Sequence, residues 1–100
     1  MPKYIMLGQL TDQGVRHAKE SPRRKQVFRD LAKSFSATVE AVYWTMGQYD
    51  FVVIVDAPDD TAMTTLSISL GTRGNGRTQT LRAFEDAEVE DMLKNVVTPS

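Results

Sequence analysis

The chain has 100 residues, no cysteine and a formal net charge of −1. This length corresponds to one domain, so we expect a single domain over residues 1–100. The lack of cysteine excludes disulfides, thiol catalysis and thiolate metal sites. The nearly balanced charge argues against nucleic-acid binding. No apolar run approaches the roughly 20 residues that span a membrane, so we expect a cytoplasmic protein with no membrane partner.

The first half of the chain predicts three strands and one long helix. Lys3 to Leu10 is typical of a strand, and Thr11 after it can cap a short helical turn. Ser21 followed by proline favours a helix start, and apolar residues at helical spacing continue to about residue 36. Thr38 to Trp44 and Asp50 to Asp56 then form two strands whose short link implies an antiparallel hairpin.

The second half predicts two helices and one strand. Pro58 stops the third strand, and Ala62 to Leu70 gives the apolar stripe of a second helix. A glycine-rich turn leads to a fourth strand over Arg77 to Phe84, and Glu85 to Asn95 predicts a last amphipathic helix. The order βαββαβ is the ferredoxin-like pattern of the α+β class, a four-stranded antiparallel sheet, here with an added C-terminal helix.

The third predicted strand is apolar on both faces. Phe51, Val53 and Val55 point to one face, and Val52 and Ile54 point to the other. Because the two long helices can cover only one face, the other needs a different cover. We expect a second copy of the chain to supply it, which predicts a homodimer or a higher homo-oligomer. The alternative is that the C-terminal helix folds over this face.

Several short motifs along the chain resemble the GYD domain family of small bacterial proteins. In order they are Thr11-Asp12-Gln13-Gly14, Lys19-Glu20-Ser21-Pro22-Arg23, Gly47-Gln48-Tyr49-Asp50, Pro58-Asp59-Asp60 and Thr80-Leu81-Arg82-Ala83-Phe84. The segment Gly47–Asp50, called the signature segment below, matches the Gly-Tyr-Asp signature in a Gly-x-Tyr-Asp form. The resemblance implies a dimeric α/β-barrel, in which two ferredoxin-like sheets close around a cavity, and it implies no particular activity.

Tyr49, Asp50 and Arg82 are the first candidates for a ligand site. A phenol and a carboxylate could bind a ligand or exchange protons in a cavity between subunits. Alternatively, Tyr49 packs at a strand end while Asp50 accepts backbone donors or pairs with an arginine. An arginine on a buried sheet needs a carboxylate or an anionic ligand, and we expect Asp50 to be the carboxylate that pairs with Arg82.

His17, Tyr43 and Trp44 are the remaining candidates. His17 is the only histidine and could be a general base, but without a second histidine or a cysteine no metal site is expected. Haem binding is not excluded, because the dimeric α/β-barrel class includes haem-binding members; otherwise no cofactor is expected. Strict alternation would place Tyr43 on one face of its strand with Val39 and Ala41. Trp44 would lie on the other face, so at most one of the two aromatic rings faces the helices.

Five basic residues form the densest positive run of the sequence: Arg16, Lys19, Arg23, Arg24 and Lys25. This run could contact phosphates or an acidic partner, or it could be a solvated helix start.

Two functions remain open at this point. The first is a homo-oligomeric domain that binds a small ligand in a cavity near Tyr49, Asp50, Arg82 and one of Tyr43 or Trp44, with His17 at the rim. The alternative is a cofactor-independent enzyme, of an oxygenase or isomerase type, that acts on a small and mostly apolar substrate.

Overall fold

The computed structural model describes residues 1–99 and has the expected βαββαβ order. The elements are β1 (Lys3–Leu10), α1 (Asp12–Arg16), a 3-10 turn (Ala18–Glu20), α2 (Ser21–Lys33), β2 (Thr38–Trp44), β3 (Phe51–Asp56), α3 (Asp60–Gly71), β4 (Gly76–Ala83) and α4 (Asp86–Leu93). The strands form one sheet in the order β2-β3-β1-β4, with every neighbouring pair antiparallel. The ferredoxin-like prediction is therefore confirmed.

The core lies between the sheet and helices α2 and α3. Tyr4, Met6, Val53 and Val55 are at most 3% exposed on the sheet side of this core. The helices contribute four further buried apolar residues: Phe28, Ala32, Met63 and Leu66. We call this side of the sheet the helix face. The alternation predicted for β3 is present, and the structure shows which of its two sets of residues the helices cover.

Among residues 1–99, no helix packs on the other side of the sheet, which we call the open face. Its apolar residues lie at the centre of the four strands and are partly or largely exposed: Ile5, Leu7, Tyr43, Val52, Ile54 and Leu81. The C-terminal helix does not cover them, because none of the eight residues of α4 is buried. The Cα radius of gyration is 15.8 Å, above the roughly 13 Å of a compact 100-residue domain. The alternative in which α4 covers the sheet is therefore wrong for the single chain.

A β-bulge in β2 changes the predicted faces of that strand. The pairing with β3 shifts between Val39 and Ala41, so the strict alternation fails there. Val39 pairs with Val55 on the helix face, whereas Ala41 pairs with Ile54 on the open face. After the bulge Tyr43 lies on the open face and Trp44 on the helix face, so the two rings are on opposite sides, as expected.

Helix α1 is positioned by its cap and by a close backbone contact. The side chain of Thr11 accepts a hydrogen bond from the backbone N–H of Gly14. A Cβ atom on Gly14 would lie 2.0 Å from the carbonyl oxygen of Asn75, in the turn before β4. Only glycine allows this approach, which holds the end of α1 and the following His17 beside the sheet.

Within residues 1–99, no helix combines the length and the apolar character needed to cross a membrane.

Candidate functional site

The signature segment fixes the turn between β2 and β3. Gly47 has a φ of 109°, a conformation that favours glycine. The Tyr49 hydroxyl donates a 2.8 Å hydrogen bond to Gln79 Oε1 of β4. The Asp50 carboxylate accepts a 2.7 Å hydrogen bond from the backbone N–H of Leu10. Each of the three residues that name the motif thus has a local structural role.

Asp50 directly precedes β3 and extends its pairing with β1 by one residue. Its backbone N–H donates to the carbonyl of Gly8 at 2.8 Å, while its side chain takes the place of a backbone acceptor for Leu10. A buried or half-buried backbone donor is costly to leave unpaired, so this carboxylate stabilises the end of the pairing between the two central strands. This agrees with the alternative given for Asp50 in the sequence analysis, in which its carboxylate accepts hydrogen bonds from backbone donors.

Arg82 lies at the opposite end of the sheet and does not pair with Asp50. It is opposite Tyr4 on β1, whereas Asp50 binds Leu10, six residues further along the strand. Six strand residues correspond to roughly 20 Å. Arg82 instead forms a 3.4 Å ion pair with Glu88 of α4, and its guanidinium lies 4.4 Å from the ring centre of Phe84. The expected Asp50–Arg82 pair is therefore wrong, because the sheet register separates the two residues.

A cavity of about 630 Å³ opens on the helix face beside α2. Its apolar wall comes from the sheet, from α2 and from the end of α3: Leu10, Val27, Phe28, Val42, Phe51, Val53 and Leu70. Its rim is mostly basic and includes Arg23, Arg24, Lys25 and Arg73. A volume of this size with an apolar lining and a few polar groups is typical of a small-molecule site. We call it the helix-face cavity.

Trp44 and His17 are the two predicted site residues that line this cavity. The indole of Trp44 is 50% exposed and meets Phe51 edge-on, with ring centres 6.5 Å apart. The ammonium of Lys25 lies 5.9 Å from the centre of the Trp44 ring, within cation–π range. His17 is exposed at the rim, and its Nδ1 lies 2.9 Å from the carbonyl oxygen of Gln13.

Arg24 has a structural role at the rim. Its guanidinium donates to the carbonyl of His17 at 2.9 Å and to the hydroxyl of Ser21 at 3.2 Å. These bonds join the end of α1 to the start of α2, and the His17 carbonyl also accepts a 3.0 Å hydrogen bond from the backbone N–H of Glu20. Within residues 1–99, Arg23 and Lys25 are the cavity-lining residues of the basic run whose side chains make no hydrogen bond.

The candidate residues do not form one site in the single chain. Trp44 and His17 line the helix-face cavity, Tyr43 and Tyr49 lie on the open face, and Asp50 and Arg82 lie at opposite ends of the sheet. Sequence reasoning missed Arg73 of the cavity rim, because it follows α3 and approaches α2 only through the fold. Among residues 1–99, no three His, Cys, Asp or Glu side chains come together as metal ligands.

The fold and the uncovered apolar face define a ferredoxin-like α+β domain. The model of the GYD domain family matches residues 4–93. The chain therefore belongs to the GYD domain family.

Two kinds of relative are similar to this chain. A Thermus thermophilus protein, the glutamine synthetase and cystathionine beta-lyase binding protein, is 37% identical over 95 residues, which cover 94% of this chain and 100% of that protein. The leucine response regulatory protein of Mycobacterium tuberculosis has a similar structure, with a TM-score of 0.62 and 18% identity. That match covers 84% of this chain and 51% of the regulator.

A further solved structure, also of a Thermus thermophilus protein, gives a TM-score of 0.55 at 22% identity. It covers 85% of this chain and 95% of the other. These two structural similarities support the fold.

Proposed function

We propose that this protein is a homo-oligomeric binding module that assembles through its open face and binds other proteins. The observation that carries the proposal is the uncovered apolar patch at the centre of the sheet. Leu81 is 41% exposed and Tyr43 is 62% exposed, and they flank Ile5, Leu7, Val52 and Ile54. Contiguous apolar patches on soluble proteins commonly mark interaction surfaces.

The polar residues around the patch support this assignment. At one end Lys3 bridges Glu40 at 2.5 Å and Asp56 at 3.1 Å. At the other end Gln9 donates a 2.8 Å hydrogen bond to the carbonyl of Gln48. An apolar centre with a polar rim is the usual organisation of a protein interface. A second copy fits this face best, because two identical sheets present the same apolar centre to each other.

The relative from Thermus thermophilus supports the protein-binding part of the proposal. It is named for binding glutamine synthetase and cystathionine beta-lyase, and the similarity covers its full length. We propose that this chain likewise binds metabolic enzymes of its own host. The surfaces that a face-to-face dimer leaves free are available for such contacts.

Sedimentation velocity at micromolar concentration tests the assembly. We expect at least a dimer of the 11.2 kDa chain, and we expect Val52→Glu to dissociate it by placing a charge at the centre of the open face. Ile68→Glu is the matched control, because Ile68 is 65% exposed on α3, on the other side of the molecule. A wild-type monomer, or an equal loss of assembly in both variants, contradicts the proposal.

A separate experiment tests the protein partners. Purified glutamine synthetase and cystathionine beta-lyase from the same host are titrated with the wild-type protein by calorimetry. Binding of at least one enzyme is expected. If neither binds while the protein is oligomeric, the assembly stands and the proposed partners are wrong.

We also propose a small-molecule ligand as a second part of this function, and the helix-face cavity of about 630 Å³ favours it. The enzyme alternative has less support. It needs a base in a pocket that excludes water, whereas the Asp50 carboxylate binds Leu10 and His17 is exposed at the cavity rim.

A further inference from the structure

We propose that the helix-face cavity binds a small aromatic carboxylate, with its ring against Trp44 and the apolar floor and its carboxylate at the basic rim. This inference names the ligand class and place for the small-molecule part of the proposed function, on which it rests. It moves that site away from the signature segment to the other side of the sheet.

The shape and lining of the cavity indicate the apolar part of the ligand. Val42 and Val53 lie side by side on neighbouring strands, and Phe28 of α2 faces the same space. Trp44 stands at one side with its ring nearly perpendicular to that of Phe51, at 75°. Flat aromatic groups pack well against such walls, because aromatic rings favour edge-to-face and offset contacts.

The charge of the rim indicates the polar part of the ligand. Within the described residues, the cavity lining carries Arg23, Lys25 and Arg73 without an ion pair, and Glu20 is its one carboxylate. These cations come from the start of α2 and from the turn after α3, so they face the opening from two sides. An anion at the mouth gains from their combined field and from charge-assisted hydrogen bonds.

The contact between Lys25 and Trp44 places the binding site for the ligand's ring next to the binding site for its carboxylate. The Lys25 ammonium lies 5.9 Å from the indole centre, so a ring that packs on the indole places a carboxylate near the same ammonium. A neutral ring keeps the apolar contacts and loses the interaction with the rim. The cavity should therefore distinguish an aromatic acid from its neutral amide of the same size.

The test compares 2-naphthoate with 2-naphthamide by calorimetry and by the shift of the Trp44 indole N–H signal in NMR spectra. We expect 2-naphthoate to bind on the order of tenfold more tightly than 2-naphthamide. We also expect the affinity of the acid to fall as the salt concentration rises.

Charge variants locate the carboxylate. The double variant Lys25→Gln, Arg73→Gln should lose most of the preference for the acid and keep its affinity for the amide. The matched control Lys33→Gln, Arg77→Gln removes the same charges at exposed positions outside the cavity lining and should bind like the wild type. Equal affinities for acid and amide in the wild type overturn the inference. Equal losses in both double variants overturn it as well.

The variant Val52→Glu distinguishes ligand binding in the helix-face cavity from assembly through the open face. Val52 lies on the opposite side of the sheet from the cavity, so Val52→Glu should bind 2-naphthoate as the wild type does even where it dissociates. A helix-face site is contradicted if 2-naphthoate shifts the NMR signals of Tyr43 and Ile54 instead of the Trp44 signal. It is also contradicted if 2-naphthoate does not bind at millimolar concentration. Neither result bears on the sedimentation experiment.

Discussion

The hydroxyl of Tyr49 reaches across β1 and donates a 2.8 Å hydrogen bond to Gln79 on β4. Gln79 pairs with Leu7 in the sheet, and Leu7 pairs on its other side with Val52 of β3. Tyr49 thus links the hairpin turn to the far edge strand over the polar end of the open face. The hydrogen bond therefore holds the β2–β3 turn against β4 at one end of the proposed interface.

We expect Tyr49→Phe to lower the free energy of unfolding by about 1 kcal/mol, the usual net value of one hydrogen bond. Urea unfolding measures the change. Tyr43→Phe is the matched control, since the Tyr43 side chain is on the same face, 62% exposed, and makes no hydrogen bond within residues 1–99. A double-mutant cycle with Gln79→Ala should recover the coupling, and a coupling of zero would mean that the bond contributes nothing.

The separation of Asp50 and Arg82 predicts additive effects. Asp50→Ala leaves the Leu10 N–H without its acceptor, and Arg82→Ala removes the ion pair with Glu88. Because roughly 20 Å of sheet lies between the two sites, the double variant should equal the sum of the single variants within about 0.5 kcal/mol. Denaturant unfolding of the three variants measures these changes in unfolding free energy. A clearly non-additive result would indicate that the two side chains interact and would contradict the prediction.

Gly14 provides a second test of the packing that positions the cavity rim. Gly14→Ala would place a methyl group 2.0 Å from the Asn75 carbonyl, so α1 must move away from the turn before β4. We expect a loss of about 1–3 kcal/mol in unfolding free energy. Gly71→Ala is the matched control, because a Cβ atom there meets nothing within 4 Å and the residue ends α3. That change should be neutral or slightly stabilising, and equal losses in both variants contradict the packing argument.

Local patterns were sufficient to predict the order of elements. The two-sided apolar run of β3, the Ser21-Pro22 helix start and the turn glycines each act within a few residues of their own position. Helix α2 ends at Lys33, three residues before the expected limit, and Ser36 just beyond it has a positive φ of 57°. Helix ends depend on such local backbone details, so the element was predicted better than its boundary.

The candidate site could not be predicted to the same extent, because it depends on register. In the register that pairs β1 with β3 and β4, Asp50 lies at one end of the sheet and Arg82 at the other. The bulge after Val39 decides that Trp44 and not Tyr43 lies beside the cavity. Lys25 and Arg73 line the same cavity only because α2 and α3 pack on the same face of the sheet. None of these relationships leaves a signal at short spacing in the sequence.

Tyr4 is a core residue whose phenolic pKa is raised by its surroundings. It is 3% exposed, and its hydroxyl donates a 2.5 Å hydrogen bond to the carboxylate of Asp60 at the start of α3. Burial, together with this hydrogen bond, raises the pKa of Tyr4 from 10.0 to about 12. The folded state therefore holds the phenolic proton more tightly than the unfolded state does.

This shift predicts a loss of stability at high pH. The contribution of the raised pKa is fully present below pH 10, and it falls between pH 10 and about 12 as the unfolded chain alone releases the proton. Tyr4→Phe removes the titrating group and the bond to Asp60, which should cost about 1–3 kcal/mol at pH 7. Urea unfolding of both proteins from pH 8 to 12 should show the gap between them narrowing above pH 10. A gap for Tyr4→Phe that stays constant over this range would contradict the assignment.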